Sequence, residues 1–256
     1  MVGKISRYVF MDVMRSKMVI AYALFLFAIS FSLFQLEENP GKAMMSLLTI
    51  VLIVVPLVSL VFTTIHWYNS YEFIELMLTQ PIKRGDVFLS EFTGLAVSLS
   101  LAFLAGVGIP IFINNPDSTG MAMIAMGLML TLIFTSIAFL ASVSTRDKAT
   151  GIGASLMLWF YFAIIYDGIV LMILFSFSDY PLDKITLVLA ALNPIDLGRI
   201  FLMLQMDISA LMGYTGATYK EFLGSGTGMI FTFSIMMLWT IIPVWLAKRI
   251  FRKKDL

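Results

Sequence analysis

Six long runs with almost no charged side chains dominate the 256-residue sequence and constrain its fold more than any other feature. About 20 consecutive apolar residues are enough for a helix to cross the hydrocarbon core of a bilayer. The runs are Met18–Leu36, Ala43–Ile65, Phe92–Ile113, Met121–Val143, Gly151–Ser178 and Gly226–Ala247. The fifth contains Asp167 and is long enough to require a tilt, a kink or an extension beyond the bilayer. The sequence therefore predicts an all-α, polytopic membrane protein with six transmembrane helices.

Composition supports this class and excludes several others. Hydrophobic residues make up 60% of the chain and charged residues 13%, whereas about 25% of a soluble domain is charged. A net charge of +1 gives no indication of a nucleic-acid partner. The absence of cysteine excludes disulfides and thiolate metal sites, and the sequence contains no phosphate-binding loop or dinucleotide fingerprint. We expect a chain that is not an enzyme and binds no metal or cofactor of its own.

The distribution of basic residues predicts the orientation. Only Lys42, Lys184, Arg199 and Lys220 fall on the side opposite the two termini, and the other lysines and arginines lie on the side of the termini. Because cytoplasmic loops carry the excess of Lys and Arg, both termini are predicted to be cytoplasmic. We expect one transmembrane domain over residues 1–256, with a cytoplasmic loop at 66–91 and a long outer loop at 179–225.

Two further segments have the pattern of helices that do not span the membrane. Lys4–Lys17 predicts an amphipathic N-terminal helix at the cytoplasmic interface, or a simple topology anchor. Pro194–Met212 is long enough for a seventh span, but it carries charged side chains that are costly in hydrocarbon. We interpret it as an amphipathic or re-entrant helix at the outer surface, capped by Asn193 and ended by Gly213.

The cytoplasmic loop contains a short predicted helix, Tyr71–Thr79, which Pro81 stops. Glu72 and Glu75 lie three residues apart on one face of this helix. The opposite, apolar side is expected to consist of Phe73, Leu76 and Met77. A short amphipathic helix of this kind is suited to docking into a groove of a soluble partner, and an ordinary surface helix is the alternative.

Small residues recur every four positions along the third span, at Gly94, Ser98, Ala102 and Gly106. Such a face permits close helix packing, either within one subunit or between two. In the fifth span, Asp167 is a functional candidate because acids are rare inside membrane helices. It either emerges toward water or pairs with Arg199, which lies in the outer loop beside Asp196.

Two residue types suggest metal or proton chemistry only weakly. His66 is the only histidine and lies beside Trp67 and Tyr68, which favours an interfacial filler over a proton switch. The chain has 19 methionines, and thioethers favour Cu(I), yet methionine is also an adaptable apolar filler. The methionines that cluster are Met121, Met123, Met126, Met129, Met203, Met206 and Met212. We predict no metal site from methionine content alone.

The order of these features resembles the ABC type-2 permease family. The carrying segment is E-L-M-L-T-Q-P-I-K-R at residues 75–84, together with the N-terminal interfacial helix and six spans. The matching residues are Glu75, Leu76, Leu78, Pro81 and Arg84, while Lys83 replaces a usual small residue and Glu91 stands where lysine is common. The resemblance implies that this segment is the coupling helix for an ATPase. The coupling residues it implies are Glu72, Glu75, Leu76, Pro81, Lys83 and Arg84.

Within that family, the chain resembles permeases that serve maturation of nitrous-oxide reductase. The likeness is carried by Leu158–Asp167, Leu192–Arg199 and Leu211–Ala217, and by the basic ending. It implies a permease homodimer in membrane lipid, with separate ATPase subunits that bind ATP and Mg²⁺, and a periplasmic accessory protein for assembly of a copper–sulfur centre. The alternatives are an exporter of a lipid, drug or peptide, and a mechanical transmitter that moves no substrate.

Overall fold

The computed structural model describes residues 2–177, 183–206 and 226–253, and over these residues the chain is almost entirely helical. The first seven helices are α1 (Val2–Met14), α2 (Lys17–Leu36), α3 (Pro40–Asn69), α4 (Tyr71–Leu78), α5 (Arg84–Phe103), α6 (Ile109–Asn114) and α7 (Ser118–Ser144). The remaining helices are α8 (Lys148–Phe160), α9 (Tyr166–Ser176), α10 (Asp183–Ala191), α11 (Pro194–Gln205) and α12 (Gly226–Lys253).

Within the described ranges, six stretches are long and apolar enough to cross a membrane, which agrees with the six predicted spans. They are α2, α3, α5 with α6, α7, α8 with α9, and α12. Two of them continue through a single π-helical turn, Leu104–Gly108 in the third span and Tyr161–Ile165 in the fifth. A π-turn inserts one extra residue per turn and leaves backbone groups with irregular partners.

The spans are longer than the apolar runs from which they were predicted. α3 continues to Asn69 and α5 begins at Arg84, so the predicted loop 66–91 is reduced to the segment that contains α4. Its 30 residues make α3 about 45 Å long, enough to cross a bilayer together with its headgroup regions. Polar residues at the helix ends lower apparent hydropathy without ending the helix, because long side chains reach water from there.

The N-terminal helix α1 has the predicted amphipathic form. Ile5, Val9 and Val13 are buried on one face, which packs along α5. A Cβ built on Gly94 would lie 2.8 Å from Val9, so α1 approaches α5 at this glycine closely enough to exclude a side chain. We call the end of the bundle that carries α1 and α4 the basic end.

The stripe of small residues on the third span packs inside one subunit. Ser98 donates a hydrogen bond to the carbonyl of Phe10 in α1 at 3.4 Å. A Cβ on Gly106 would lie 2.6 Å from the Cβ of Leu26 in α2. Of the two alternatives open from the sequence, the contacts of Gly94, Ser98 and Gly106 are therefore those of packing within the chain.

Among the described residues, Pro56, Pro110 and Pro243 lie inside spans, and near two of them a side chain donates to a backbone carbonyl. Pro56 lies inside α3, and the indole of Trp159 donates to the nearby carbonyl of Ile53 at 3.1 Å. Pro243 lies inside α12 and frees the carbonyl of Trp239, toward which Ser136 donates at 3.4 Å. Such replacements keep polar backbone groups satisfied inside the membrane.

The helices α10 and α11 form a re-entrant pair. They meet at a bend of 114°, with Asn193 between them. Asn193 lies beside Phe162, close to the middle of the fifth span, whereas the carbonyl of Gln205 accepts a hydrogen bond from Thr119 at the start of α7. The chain therefore turns near mid-membrane and returns to the end opposite the basic end. The bend and these contacts agree with the predicted re-entrant helix, whereas the buried body of α11 disagrees with a helix that lies on the outer surface.

Candidate functional site

The short helix α4 projects from the basic end, directly after α3. Ile74 is fully buried, and the ring of Phe73 stacks on Tyr8 of α1 with centroids 5.1 Å apart. Glu72 and Glu75 are exposed as predicted, and Leu76 is 64% exposed beside them. The prediction that Leu76 belongs to the apolar side is wrong, because Ile74 takes the inward position. We call Glu72, Glu75 and Leu76 the acidic face.

The other predicted coupling residues continue the same exposed surface. Pro81, Lys83 and Arg84 are all exposed in the turn between α4 and α5. Lys83 is the N-cap residue of α5, and its carbonyl accepts from the backbone N–H of Asp86 at 2.8 Å. The structure thus brings the six predicted residues together on one solvent-facing segment. Their role in binding a partner stays a prediction.

A cluster of aromatic rings fixes the helix ends behind α4. Trp67, near the end of α3, makes edge contacts with Phe88 of α5, Phe139 of α7 and Phe251 of α12, with centroids 5.3–6.2 Å apart. Edge-to-face pairs contribute roughly 0.5–1.5 kcal/mol each beyond area burial. Trp67 lies only four residues before α4, so this cluster connects the end of α3 that precedes α4 to three further spans.

A buried acid lies next to the same cluster. Glu91 is fully buried, and its Oε2 lies 3.5 Å from Nε2 of His66, which is itself 3.3 Å from the hydroxyl of Ser70. The two carboxylate oxygens of Glu91 have no hydrogen-bond partner among the described residues. His66 is therefore inside the bundle, beside a carboxylate, and the prediction of an interfacial filler is wrong.

The signal for this pair is present in the sequence. Glu91 shares a helix face with Phe88 and Leu95, both fully buried, and an acid on an apolar face is the feature that marks a buried charge. It was missed because residues 66–91 were assigned to a loop.

In the half of the bundle away from the basic end, three charged side chains meet between the fifth span and α11. The guanidinium of Arg199 lies 2.8 Å from Oδ2 of Asp167 and 3.2 Å from Oδ1 of Asp196. The structure thus shows the paired alternative for Asp167. The Arg199 and Asp167 side chains remain about one-third exposed, at 35% and 31%, while that of Asp196 is 12% exposed. We call Asp167, Asn193, Asp196 and Arg199 the polar cluster.

Asn193 ties this cluster to the π-turn of the fifth span. Its Oδ1 accepts from the backbone N–H of Ile195, which confirms it as the N-cap of α11, and Pro194 takes the first helical position. Its Nδ2 donates to the carbonyl of Phe162 at 2.9 Å and to Asp196 at 3.1 Å. The sequence predicted the cap, whereas the bond to Phe162 depends on an irregular turn that carries no clear sequence signal.

The body of α11 is buried among three spans. Gly198 faces Leu52 of α3, Leu130 of α7 and Met236 of α12. A Cβ built on Gly198 would lie 3.6–4.0 Å from these side chains, which is ordinary van der Waals contact. The indole of Trp239 also donates to the carbonyl of Ala191 at the end of α10, at 3.0 Å. A shift of any of these spans would therefore displace side chains that contact α11.

The methionine clusters divide between the core and the surface. Met123 and Met126 are fully buried in the core, as expected of apolar filler, while Met121 is 50% exposed. Within the described ranges, no three His, Asp or Glu side chains are placed to hold a metal ion. Met212 and Gly213, named in the sequence predictions, lie outside the described residues.

Comparison with known proteins identifies the family. Residues 73–256 match the ABC-2 family transporter protein family, a region that begins within α4. A Pseudomonas aeruginosa protein named probable ABC transporter permease protein NosY is 30% identical over 148 residues, which are 54% of this chain and 54% of that protein. A Stutzerimonas stutzeri protein of the same name is 26% identical over 192 residues, or 70% of this chain and 67% of that protein.

The matched region thus spans about half of the first relative and two-thirds of the second. Both relatives are named as permease components of ABC transporters. With six apolar spans and a family match over most of its length, the chain belongs to the ABC-2 transporter family and is a multi-pass permease of an ABC transporter.

Proposed function

We propose that the chain serves copper-centre assembly in nitrous-oxide reductase, as the permease of a transporter in a bacterial inner membrane. The names of its two relatives support this proposal, as do the segments Leu158–Asp167 and Leu192–Arg199, on which the resemblance to such permeases rests. The excess of basic residues at the basic end supports a cytoplasmic position for both termini.

The working assembly we propose is a permease homodimer with two ATPase subunits at the basic end and a periplasmic accessory protein at the other. ATP and Mg²⁺ would be bound by the ATPase subunits, and this chain would bind no cofactor. The acidic face of α4 would dock into a groove of the ATPase, with Pro81, Lys83 and Arg84 at its edge.

One observation carries this proposal: the acidic face is joined through a single long helix to the polar cluster's side of the bundle. α4 follows α3 after one residue, Ser70, and Leu52 of α3 packs against Gly198 of α11. Displacement of α4 when the ATPase closes would therefore be transmitted by α3 to the re-entrant helix. Packed helices have discrete arrangements, so a small displacement switches them between two states.

In this mechanism, the polar cluster would pass the movement of α11 to the fifth span. Arg199 holds α11 to the fifth span through Asp167, so a displacement of α11 would also displace the fifth span. A movement of α11 could act on a periplasmic partner at the end opposite the basic end without any solute crossing the membrane. Mechanical transmission is therefore our second candidate, favoured by the position of α11 inside the bundle.

Charge reversal of the acidic face tests the docking step. Glu72→Lys with Glu75→Lys should abolish ATPase stimulation by the permease. A partner groove that accepts two acids would be positively charged, so it would repel the two introduced lysines. The matched control is Glu37→Lys with Glu38→Lys. It reverses two acids that directly follow α2, at the end of the bundle opposite the basic end. Co-purification of the ATPase and ATP hydrolysis in nanodiscs are measured. Unchanged stimulation in the first variant would reject α4 as the docking element.

The cellular role needs its own readout. Cells carrying only the reversal variant should accumulate nitrous-oxide reductase with a deficient copper centre, measured by its copper content and visible absorption spectrum. A fully assembled reductase, together with lost export of a lipid or peptide, would move the assignment to the exporter alternative. Deletion of 180–214 should also remove binding of a periplasmic partner, and normal binding would exclude α11 and its flanks as its site.

A further inference from the structure

Cationic side chains crowd the end of α12 beside the start of α5. A cavity of about 550 Å³ is lined by Trp245, Lys248, Arg249, Arg252 and Lys253. A second cavity of about 410 Å³ shares Lys248 and Arg252 with the first and adds Lys83 and Arg84. We call the two cavities together the basic cleft. Asp86 is the one acidic residue among those that line it.

Three cations on α12 have no carboxylate of the described residues close enough to neutralise them. Among the residues that the structure describes, no acidic group lies within ion-pairing distance of Lys248, Arg249 or Arg252. The guanidinium of Arg249 instead lies over the ring of Trp245, 5.5 Å from its centroid. Like charges this close repel one another, so a bound anion would relieve the repulsion.

An apolar groove on α12 continues directly from the cleft. It encloses about 690 Å³ between α12 and the end of α10, and Leu238, Ile242 and Leu246 form its α12 wall. These three residues and Arg249 and Lys253 recur at intervals of three or four, so they lie along one face of the helix. The face changes from apolar to cationic at Trp245, a residue type that favours the membrane interface.

The length of this face matches one leaflet of a bilayer. The 15 steps from Leu238 to Lys253 rise about 22 Å along the helix, and a bilayer with its headgroups is about 40–45 Å thick. A molecule that fits such a face has an anionic head, an apolar body and the length of one leaflet. These are the properties of a phospholipid with a net negative charge.

We propose that this face of α12 binds one anionic diacyl phospholipid, with its phosphate in the basic cleft and its acyl chains in the apolar groove. Basic pockets between helices on the cytoplasmic side are suited to anionic headgroups. Because Lys83 and Arg84 follow α4 closely, the bound phosphate would join α12 to the start of α5 and hold the turn after the acidic face in place. The lipid site stands independently of the role proposed in reductase assembly.

Quenching of tryptophan fluorescence by brominated lipid tests this site, because Trp239 and Trp245 line the groove and the cleft. Purified permease in phosphatidylcholine nanodiscs is titrated with phosphatidylglycerol that carries bromine on its acyl chains. We expect saturable quenching at a low mole fraction, and weaker quenching by brominated phosphatidylcholine. Equal quenching by the two lipids would overturn the proposal.

The variant Arg249→Gln with Lys253→Gln should raise the half-saturating mole fraction about 30-fold, which corresponds to about 1 kcal/mol for each lost charge. The matched control, Lys4→Gln with Arg7→Gln, removes two exposed cations from α1 at the same end and should change it less than about twofold. An equal loss in the control would attribute binding to general surface charge and overturn the site.

Two further arms separate the lipid from other anions. Millimolar inorganic phosphate should leave quenching unchanged, because it cannot use the apolar groove, and full displacement by phosphate would identify a free-phosphate site instead. Co-purification of the ATPase with the Arg249→Gln, Lys253→Gln variant should also be unchanged. Loss of the ATPase with normal lipid quenching would show that the cleft docks protein, which again rejects the proposal.

Discussion

Removing Arg199 should harm the protein more than removing Arg199 and Asp167 together. Arg199 is the only cation of the polar cluster, and it contacts two carboxylates, at 2.8 and 3.2 Å. Arg199→Ala leaves Asp167 and Asp196 facing each other without compensation. Adding Asp167→Asn removes one of these charges, so that Asp196 alone remains, with Asn193 still donating to it.

The burial of the side chains sets the size of the effect. Breaking a fully buried pair costs about 3–5 kcal/mol, whereas an exposed pair contributes about 0–1 kcal/mol. Because Arg199 and Asp167 are about one-third exposed, an intermediate loss of about 2 kcal/mol is expected for Arg199→Ala. For a chain of this length, such a loss lowers Tm by roughly 4–8 °C. The double variant should recover about half of the lost stability.

Thermal unfolding of the purified permease, followed by tryptophan fluorescence, measures this order. The single variant Asp167→Asn serves as the control, since it leaves the contact between Arg199 and Asp196 intact and should lose least. The reductase maturation that we propose for this permease should fall in the same order. A double variant as unstable as Arg199→Ala would refute the reasoning, because it would show that the Asp167 charge is not what the missing guanidinium leaves uncompensated.

Three further outcomes follow from the topology and the packing. A reporter fused after Leu256 should report the cytoplasm and one inserted at Thr218 the periplasm; a cytoplasmic signal at Thr218 would contradict the six-span topology. Gly106→Leu should lower stability by about 1–3 kcal/mol because its Cβ meets Leu26, whereas Gly153→Leu, which has open space, should be near neutral in the same unfolding assay. Gly198→Ala should keep full coupled ATPase activity, while Gly198→Leu should lose it, since only the first methyl group fits among three spans; activity retained by the leucine variant would show that α11 can move aside.

The sequence was most informative where one physical requirement dominates. Hydropathy located all six spans, because every apolar helix must be long enough to cross the bilayer. The amphipathic face of α1 and the cap at Asn193 were also predicted, because each depends only on residues that are close in sequence. The exposed acids of α4 were also predicted, although the inward residue proved to be Ile74 rather than Leu76.

Features that depend on long-range packing were harder to predict. Hydropathy underestimates helix ends that carry charged residues, so Glu91 was placed in a loop instead of beside His66 inside the bundle. The depth of α11 follows from its contacts with Leu52 and Met236, which no local pattern specifies. The pairing of Asp167 with Arg199 was one of two alternatives, and only the fold of the fifth span decides between them.

The burial of α11 has a consequence for biogenesis. A chain made from its N-terminus exposes α11 to the insertion machinery before α12, yet Met236 of α12 is one of the residues that enclose Gly198. Until α12 crosses the membrane, the charges at Asp196 and Arg199 have an incomplete protein environment and are held at the aqueous edge. We therefore expect α11 to reach its buried position only after α12 has inserted, so that a chain arrested before that step would leave α11 open to proteolysis.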